Sequence, residues 1–232
     1  MLTHEQIDLL YAFCRKKYVR YYDVQVELVD HLANAIEERM AAQPDLSFEN
    51  ALQDVYKGFG KTGFAPLLRQ KEKAVAKFNS RLMWGFFKAQ LRWPKILMVL
   101  LVWAITYTAV TQFDREIVRY LAIVIFTIAT FIVAREIFSL RRMEKRSGQK
   151  FMLINLAGVV NLTYAPFNVL LFMKEFGYGV PAMSQPYSVP YALVISTFIT
   201  LYVAVSIAVF HTVKHIRFAL VKAYPHLFTI AG

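Results

Sequence analysis

The sequence predicts an all-α membrane protein, with a small cytoplasmic helical bundle followed by a four-helix transmembrane bundle. Three observations lead there. Four long apolar stretches crowd residues 96 to 232. The 232-residue chain joins a mean hydropathy of +0.38 to a formal net charge of +11, a pairing rare in soluble domains and ordinary in membrane proteins. The basic residues stand beside alternate ends of the apolar stretches, the pattern that the positive-inside rule gives a multi-pass chain.

The N-terminal residues read as short helices. Thr3 with Gln6 three residues later has the form of a capping box, and Leu9, Leu10 and Phe13 give the helix that follows an apolar stripe. Met1 to Leu10 carries Glu5 and Asp8 and lacks the charged start, apolar core and cleavage site of a signal peptide, so nothing there marks the chain for export. Asp23 is placed to cap a second helix that runs to about Ala42, where Pro44 and Asp45 close it. In that helix Val26, Val29, Leu32, Ala33, Ile36 and Met40 share one face, and Glu27, His31, Asn34 and Glu38 share another.

Ser47 is the expected N-cap of a third helix through Phe48, Ala51, Leu52, Val55, Tyr56 and Phe59, ended by Gly58, Gly60 and Gly63. A fourth helix starts near Phe64, tolerates Pro66 in its first turn and continues through Leu68, Val75, Phe78 and Leu82. Cys14 is the single cysteine, so neither an intrachain disulfide nor a cysteine-based zinc cluster can form.

Charge divides the chain into three parts. Residues 1–63, the expected cytoplasmic domain, hold 7 Lys/Arg against 10 Asp/Glu. Residues 64–95, a basic juxtamembrane helix, hold 8 against 1, and residues 96–232, the transmembrane domain with a short cytoplasmic tail, hold 12 against 5. The basic excess belongs to the membrane surface, which removes the main support for nucleic-acid binding.

The apolar runs predict spans at about 96–113, 117–140, 151–173 and 190–213, each near the length of about 20 residues that a helix needs to cross a bilayer. The segment before span one and the Arg141, Arg142, Lys145, Arg146, Lys150 loop are rich in cations, whereas the 114–119 turn and the 174–189 loop are poor. Both termini are therefore expected in the cytoplasm. Arg81, Trp84, Lys88, Arg92, Trp93 and Lys95 mix aromatic and basic side chains as a membrane-interface anchor does, and a sharper reading is specific recognition of anionic lipid headgroups at the cytoplasmic face.

The run Glu27-Leu28-Val29-Asp30-His31-Leu32, then Ile36-Glu37-Glu38, then Leu46-Ser47-Phe48-Glu49-Asn50-Ala51-Leu52 and Phe59-Gly60 resembles the helical prefix domain called HAAS or permease-prefix in bacterial membrane proteins. The likeness covers about residues 20–70, and its motif positions are Glu27, Asp30, His31, Ser47, Phe59 and Gly60. It implies a cytoplasmic accessory or sensing module tied to a membrane region, in the bacterial inner membrane, and no reaction. Under that resemblance Asp30 and His31 hydrogen-bond helix two to its neighbour. The Gln43-Pro44-Asp45 insertion departs from the Gly-centred turn of many members.

Sites of chemistry are sparse. His31 one turn from Glu27 has metal spacing but stands on an acidic, solvated helix face, and His211 and His215 share the same spacing at the end of span four with no carboxylate following. Asn155, Asn161, Tyr164 and Asn168 form a polar stripe in span three, which calls for interhelical packing or a small-ligand pocket. No catalytic constellation, metal set or cofactor motif is visible, so an enzyme is not expected. The expectation is a sensor, regulator or assembly partner, meeting the lipid bilayer, anionic headgroups and a protein partner or second copy. A transporter subunit with a path along span three, and a structural subunit of a larger complex, are the alternatives.

Overall fold

Thr3 closes the capping box that its spacing from Gln6 predicts. The Gln6 amide donates to Thr3 Oγ1 at 3.2 Å and the Thr3 amide donates to Gln6 Oε1 at 2.8 Å, which provides for amides that a helix start leaves unpaired. From there the computed structural model, which describes residues 1–155 and 186–228, is helical almost throughout. Its elements are α1 (His4–Lys16), α2 (Tyr22–Ala42), α3 (Phe48–Lys57), α4 (Ala65–Gln90), α5 (Lys95–Gln112), α6 (Arg115–Ser147), a 3-10 turn at Met152–Ile154, α7 (Val189–Ala223) and α8 (Pro225–Phe228). An isolated parallel bridge joins Tyr21 and Lys150.

Among the described residues the chain divides into two units. The first comprises 1–77 and 143–155, and the second 78–142 and 186–228. The expected boundary at 63/64 falls instead inside α4, and a piece of chain from beyond the second apolar run joins the N-terminal helices.

In the first unit, Leu10 and Cys14 of α1, Leu28, Leu32 and Ile36 of α2, Ala51 and Leu52 of α3, and Phe64 form a continuous buried core. Burial pushes the Cys14 thiol up to about 11. Ser47 caps α3 by accepting from the Asn50 amide at 3.3 Å. Phe59 and Phe64 then meet edge-on with ring centroids 4.8 Å apart, beside Tyr56. That turn needs backbone freedom at Gly60 and Gly63, whose φ angles are +73° and +53°, and a Cβ on Gly63 would stand 2.4 Å from Tyr56 Oη.

Two expectations about α2 change. Its N-cap is Tyr21, without a side-chain cap bond, so Asp23 sits inside the first turn rather than before it. Its buried set is Val24, Gln25, Leu28, Val29, Leu32 and Ile36, which widens the predicted stripe toward the helix start, where the 3-10 turn packs. Val26, Ala33 and Met40 are only half-buried, and Glu27, His31, Asn34 and Glu38 are exposed as predicted.

In the second unit α7 is the central helix, with fourteen buried residues against one on α5. Val110 of α5, Val118, Ala122 and Phe126 of α6, and Ala192, Ile195, Ile199 and Tyr202 of α7 make its core. Polar side chains cross between helices here. Trp103 Nε1 donates to Thr197 Oγ1 at 3.0 Å, Thr130 Oγ1 and Tyr202 Oη lie 2.6 Å apart, and Gln90 Nε2 donates to the Ala204 carbonyl at 3.0 Å. Thr108, Thr127, Ser196 and Thr212 return their hydroxyls to carbonyls four residues earlier, so each is paired within its own helix.

Three described helices, α5, α6 and α7, are long and apolar enough to cross a membrane. α5 matches the expected first span within a residue. α6 and α7 overrun theirs, to Ser147 and Ala223, because the Arg, Lys, Glu and Ala beyond the apolar runs are good helix formers. The third expected span is corrected at its start, since Phe151 to Ile154 is no part of a long helix and lies in the first unit.

Candidate coupling site where a loop enters the N-terminal bundle

α6 ends at Ser147 because Gly148 takes φ +66° and turns the chain. Ser147 Oγ donates to the Glu144 carbonyl at 2.7 Å and accepts from the Gln149 amide at 3.3 Å, which ties the turn. The next residues run back along the start of α2. The Tyr22 amide donates to the Lys150 carbonyl at 2.7 Å, and the Phe151 amide donates to Glu144 Oε1 at 2.9 Å.

Asp23 then receives the segment. Its Oδ1 accepts from the Met152 amide at 3.0 Å and its Oδ2 from the Leu153 amide at 3.1 Å, so one carboxylate spans two successive amides. Oδ1 also accepts from the Val24 amide at 3.1 Å. Burial lifts the Asp23 carboxyl above its ordinary value, against the opposing pull of these backbone amides.

Apolar side chains complete the contact. Phe151 and Met152 are 1% and 0% exposed, as buried as Leu10 at the centre of the bundle. Phe151 meets the Tyr22 ring edge-on at 6.0 Å, and Tyr22 stacks on Tyr11 of α1 at 6.3 Å. Gln25 Nε2 donates to the Val19 carbonyl at 2.7 Å and holds the α1–α2 turn that faces the segment. The arrangement binds an extended stretch of chain through backbone pairing, a two-oxygen acceptor and an apolar slot. It contains no nucleophile and base held together.

The prefix motif positions divide. Glu27 reaches across to α4, where Lys71 Nζ donates to both its carboxylate oxygens, and His31 Nε2 lies 3.9 Å from the same carboxylate. The expected link from α2 to its neighbour is therefore made by Glu27, while Asp30 and His31 are exposed. Ser47 is a helix cap, Phe59 belongs to the aromatic cluster, and Gly60 supplies a positive φ. Arg81, Trp84, Lys88, Arg92, Trp93 and Lys95 are all exposed around the end of α4 and the start of α5. His211 and His215 both face Phe86 of α4, at 5.6 and 6.2 Å between ring centroids.

Of the expected intramembrane stripe, Asn161, Tyr164 and Asn168 lie outside the described residues. Asn155 is corrected: it follows the 3-10 turn in the first unit, exposed, its amide donating to the Met152 carbonyl at 2.9 Å. Sequence reasoning passed over Asp23, Lys150, Phe151 and Met152 as a site. The available signal was Gly148, a helix-stopping residue three positions before the apolar run.

No protein-family model, curated protein or solved structure matches this chain. The functional reading therefore rests on the residues and their geometry.

Proposed function

We propose that the protein is a non-enzymatic sensor, regulator or assembly partner of the bacterial inner membrane. It crosses the bilayer four times, with both termini in the cytoplasm. α5, α6 and α7 supply three crossings. The fourth is the run from Leu156 to Met173, 18 residues without a charge once Phe151 to Asn155 are assigned to the bundle. Alternating basic flanks support the orientation; the bacterial setting is what the resemblance of residues 20–70 to the prefix domain implies, and the sensing role rests on the geometry of the loop that follows α6.

One observation carries the reading. The loop that follows α6 ends inside the N-terminal core, with Met152 fully buried and two of its amides on Asp23. A change in the membrane helices that displaces this loop removes part of that core. The N-terminal bundle thereby registers the state of the membrane helices, and the exposed acids Asp30 and Glu38 of α2 present that state to a cytoplasmic partner, a protein or a second copy of this chain. Lipid, and anionic headgroups around Arg81 to Lys95, are the other partners of this reading.

Copurification from native membranes in mild detergent tests it. A stoichiometric partner that is retained by the wild type, and lost when Asp30 and Glu38 are changed to Lys, is the expected result. A monodisperse protein that carries no partner and does not self-associate contradicts it.

A further inference from the structure

Near the polar end of α6, one carboxylate lies between two guanidinium groups. Glu136 has a side chain only 9% exposed, with Oε1 3.3 Å from Arg135 Nη2 and Oε2 3.5 Å from Arg217 Nη1 of α7. The same Arg217 nitrogen donates to Ser139 Oγ at 3.3 Å. Both ionic contacts are longer than the 2.7–2.9 Å of a strong charge-assisted bond, and neither has the two-bond fork that arginine makes with a well-placed oxyanion. The Arg135 and Arg217 side chains remain 66% and 39% exposed.

Charge here does not balance. Two guanidiniums meet one carboxylate, α7 carries no acidic residue, and Glu144, the next acid along α6, is bonded to the Phe151 amide. The place matters too. Lys214 marks the end of the apolar run of α7 and Arg217 lies three residues beyond it, while Arg141 and Arg142 follow Glu136 by little more than a turn. On the reading of α6 and α7 as membrane spans, this is the level of the phospholipid headgroups.

We propose that Arg135 and Arg217 bind the phosphodiester of an anionic phospholipid, with Glu136 as the group against which the headgroup competes. A phosphodiester carries one negative charge, the amount the cluster lacks, and its tetrahedral oxygens accept arginine forks that the single carboxylate cannot fill for both residues at once. The site rests on the membrane reading and adds to it. General attraction of basic residues to an anionic leaflet falls on every exposed cation alike, whereas this site singles out two arginines and assigns the glutamate an opposing role.

The test uses the full-length protein in nanodiscs of phosphatidylcholine containing a minor fraction of phosphatidylglycerol, with bound lipid counted by native mass spectrometry. The R135Q/R217Q double variant is expected to lose retained phosphatidylglycerol by at least about tenfold, the scale of one charge-assisted contact. E136Q is expected to retain more than wild type. R141Q/R142Q removes the same charge from the same surface and is expected to change retention little. R135Q alone alters a mostly exposed side chain, and a several-fold loss there keeps the test valid should the changes at Glu136 or Arg217 disturb folding.

Equal losses in R141Q/R142Q and R135Q/R217Q overturn the site in favour of diffuse surface attraction. Weaker retention in E136Q also overturns it. Inorganic phosphate that binds the detergent-purified protein as tightly as the lipid does overturns the lipid assignment. A protein that fails to enter nanodiscs at all contradicts the membrane reading instead, which keeps the two failures distinct.

Discussion

Changing Asp23 to Ala removes the acceptor that holds the Met152 and Leu153 amides at 3.0 and 3.1 Å. Each amide bond to a charged carboxylate is worth about 1.5–3 kcal/mol. Burial penalises the charged form enough to hold the pKa above the ordinary value, so the cost of the substitution is that of amides left without an acceptor, about 1–3 kcal/mol for a buried unsatisfied group. A loss of about 2 kcal/mol corresponds to roughly thirtyfold in the opening equilibrium of the segment. Hydrogen–deuterium exchange on the full-length protein in nanodiscs reads that equilibrium directly. The expected outcome is faster exchange confined to peptides covering 149–155 and the start of α2, with α5 and α7 unchanged. Wild-type protection over 149–155 in the variant would refute the reasoning, as would an equal loss throughout α1 to α3, which would mean that Asp23 supports the bundle in general.

Asp23 also predicts a pH dependence. Its folded pKa is raised, so between 3.8 and the higher folded value the unfolded carboxyl ionises first; stability of the first unit falls as pH rises through that window and levels off above it. Thermal melts of the wild type should show this decline and those of D23N should lack it. Cys14 is fully buried with its thiol pushed up to about 11, so a maleimide at pH 8 should label it only after denaturation. Gly63→Ala places a Cβ 2.4 Å from Tyr56 Oη at φ +53° and should cost about 1–3 kcal/mol, seen as a lower melting temperature. Glu27→Ala, which breaks an exposed ion pair with Lys71, should cost no more than about 1 kcal/mol in the same assay.

Much of the fold was legible where the cause is local. Thr3 and Ser47 announce helix starts because their hydroxyls accept amides three residues on, and Gly60 and Gly63 announce a turn because other residues resist a positive φ. The apolar runs of α5, α6 and α7 are legible because a helix in lipid cannot carry many charges. The candidate site was hidden because its cause is distant. Phe151 to Ile154 is apolar, and burial in a protein core asks the same composition as burial in lipid, so the run merged with the apolar residues after it. Asp23 was read as a cap because an acid at a helix start ordinarily is one, and its use by amides 129 and 130 residues away leaves no local trace. The Trp103–Thr197 and Thr130–Tyr202 contacts were missed for a related reason: single hydroxyls scattered through apolar helices show no periodic stripe, unlike the asparagines that drew notice in the third run.

The central claim is that the loop after α6 forms part of the N-terminal bundle in the membrane-embedded protein. Tyr21 and Lys150 are bridged through their backbones, so the Tyr21→Cys/Lys150→Cys double variant brings two thiols within disulfide range. Mild oxidation of native membranes should join them within one chain, giving a gel shift that reductant reverses. Two thiols that both react with a small alkylating reagent yet never join under oxidation would contradict the account.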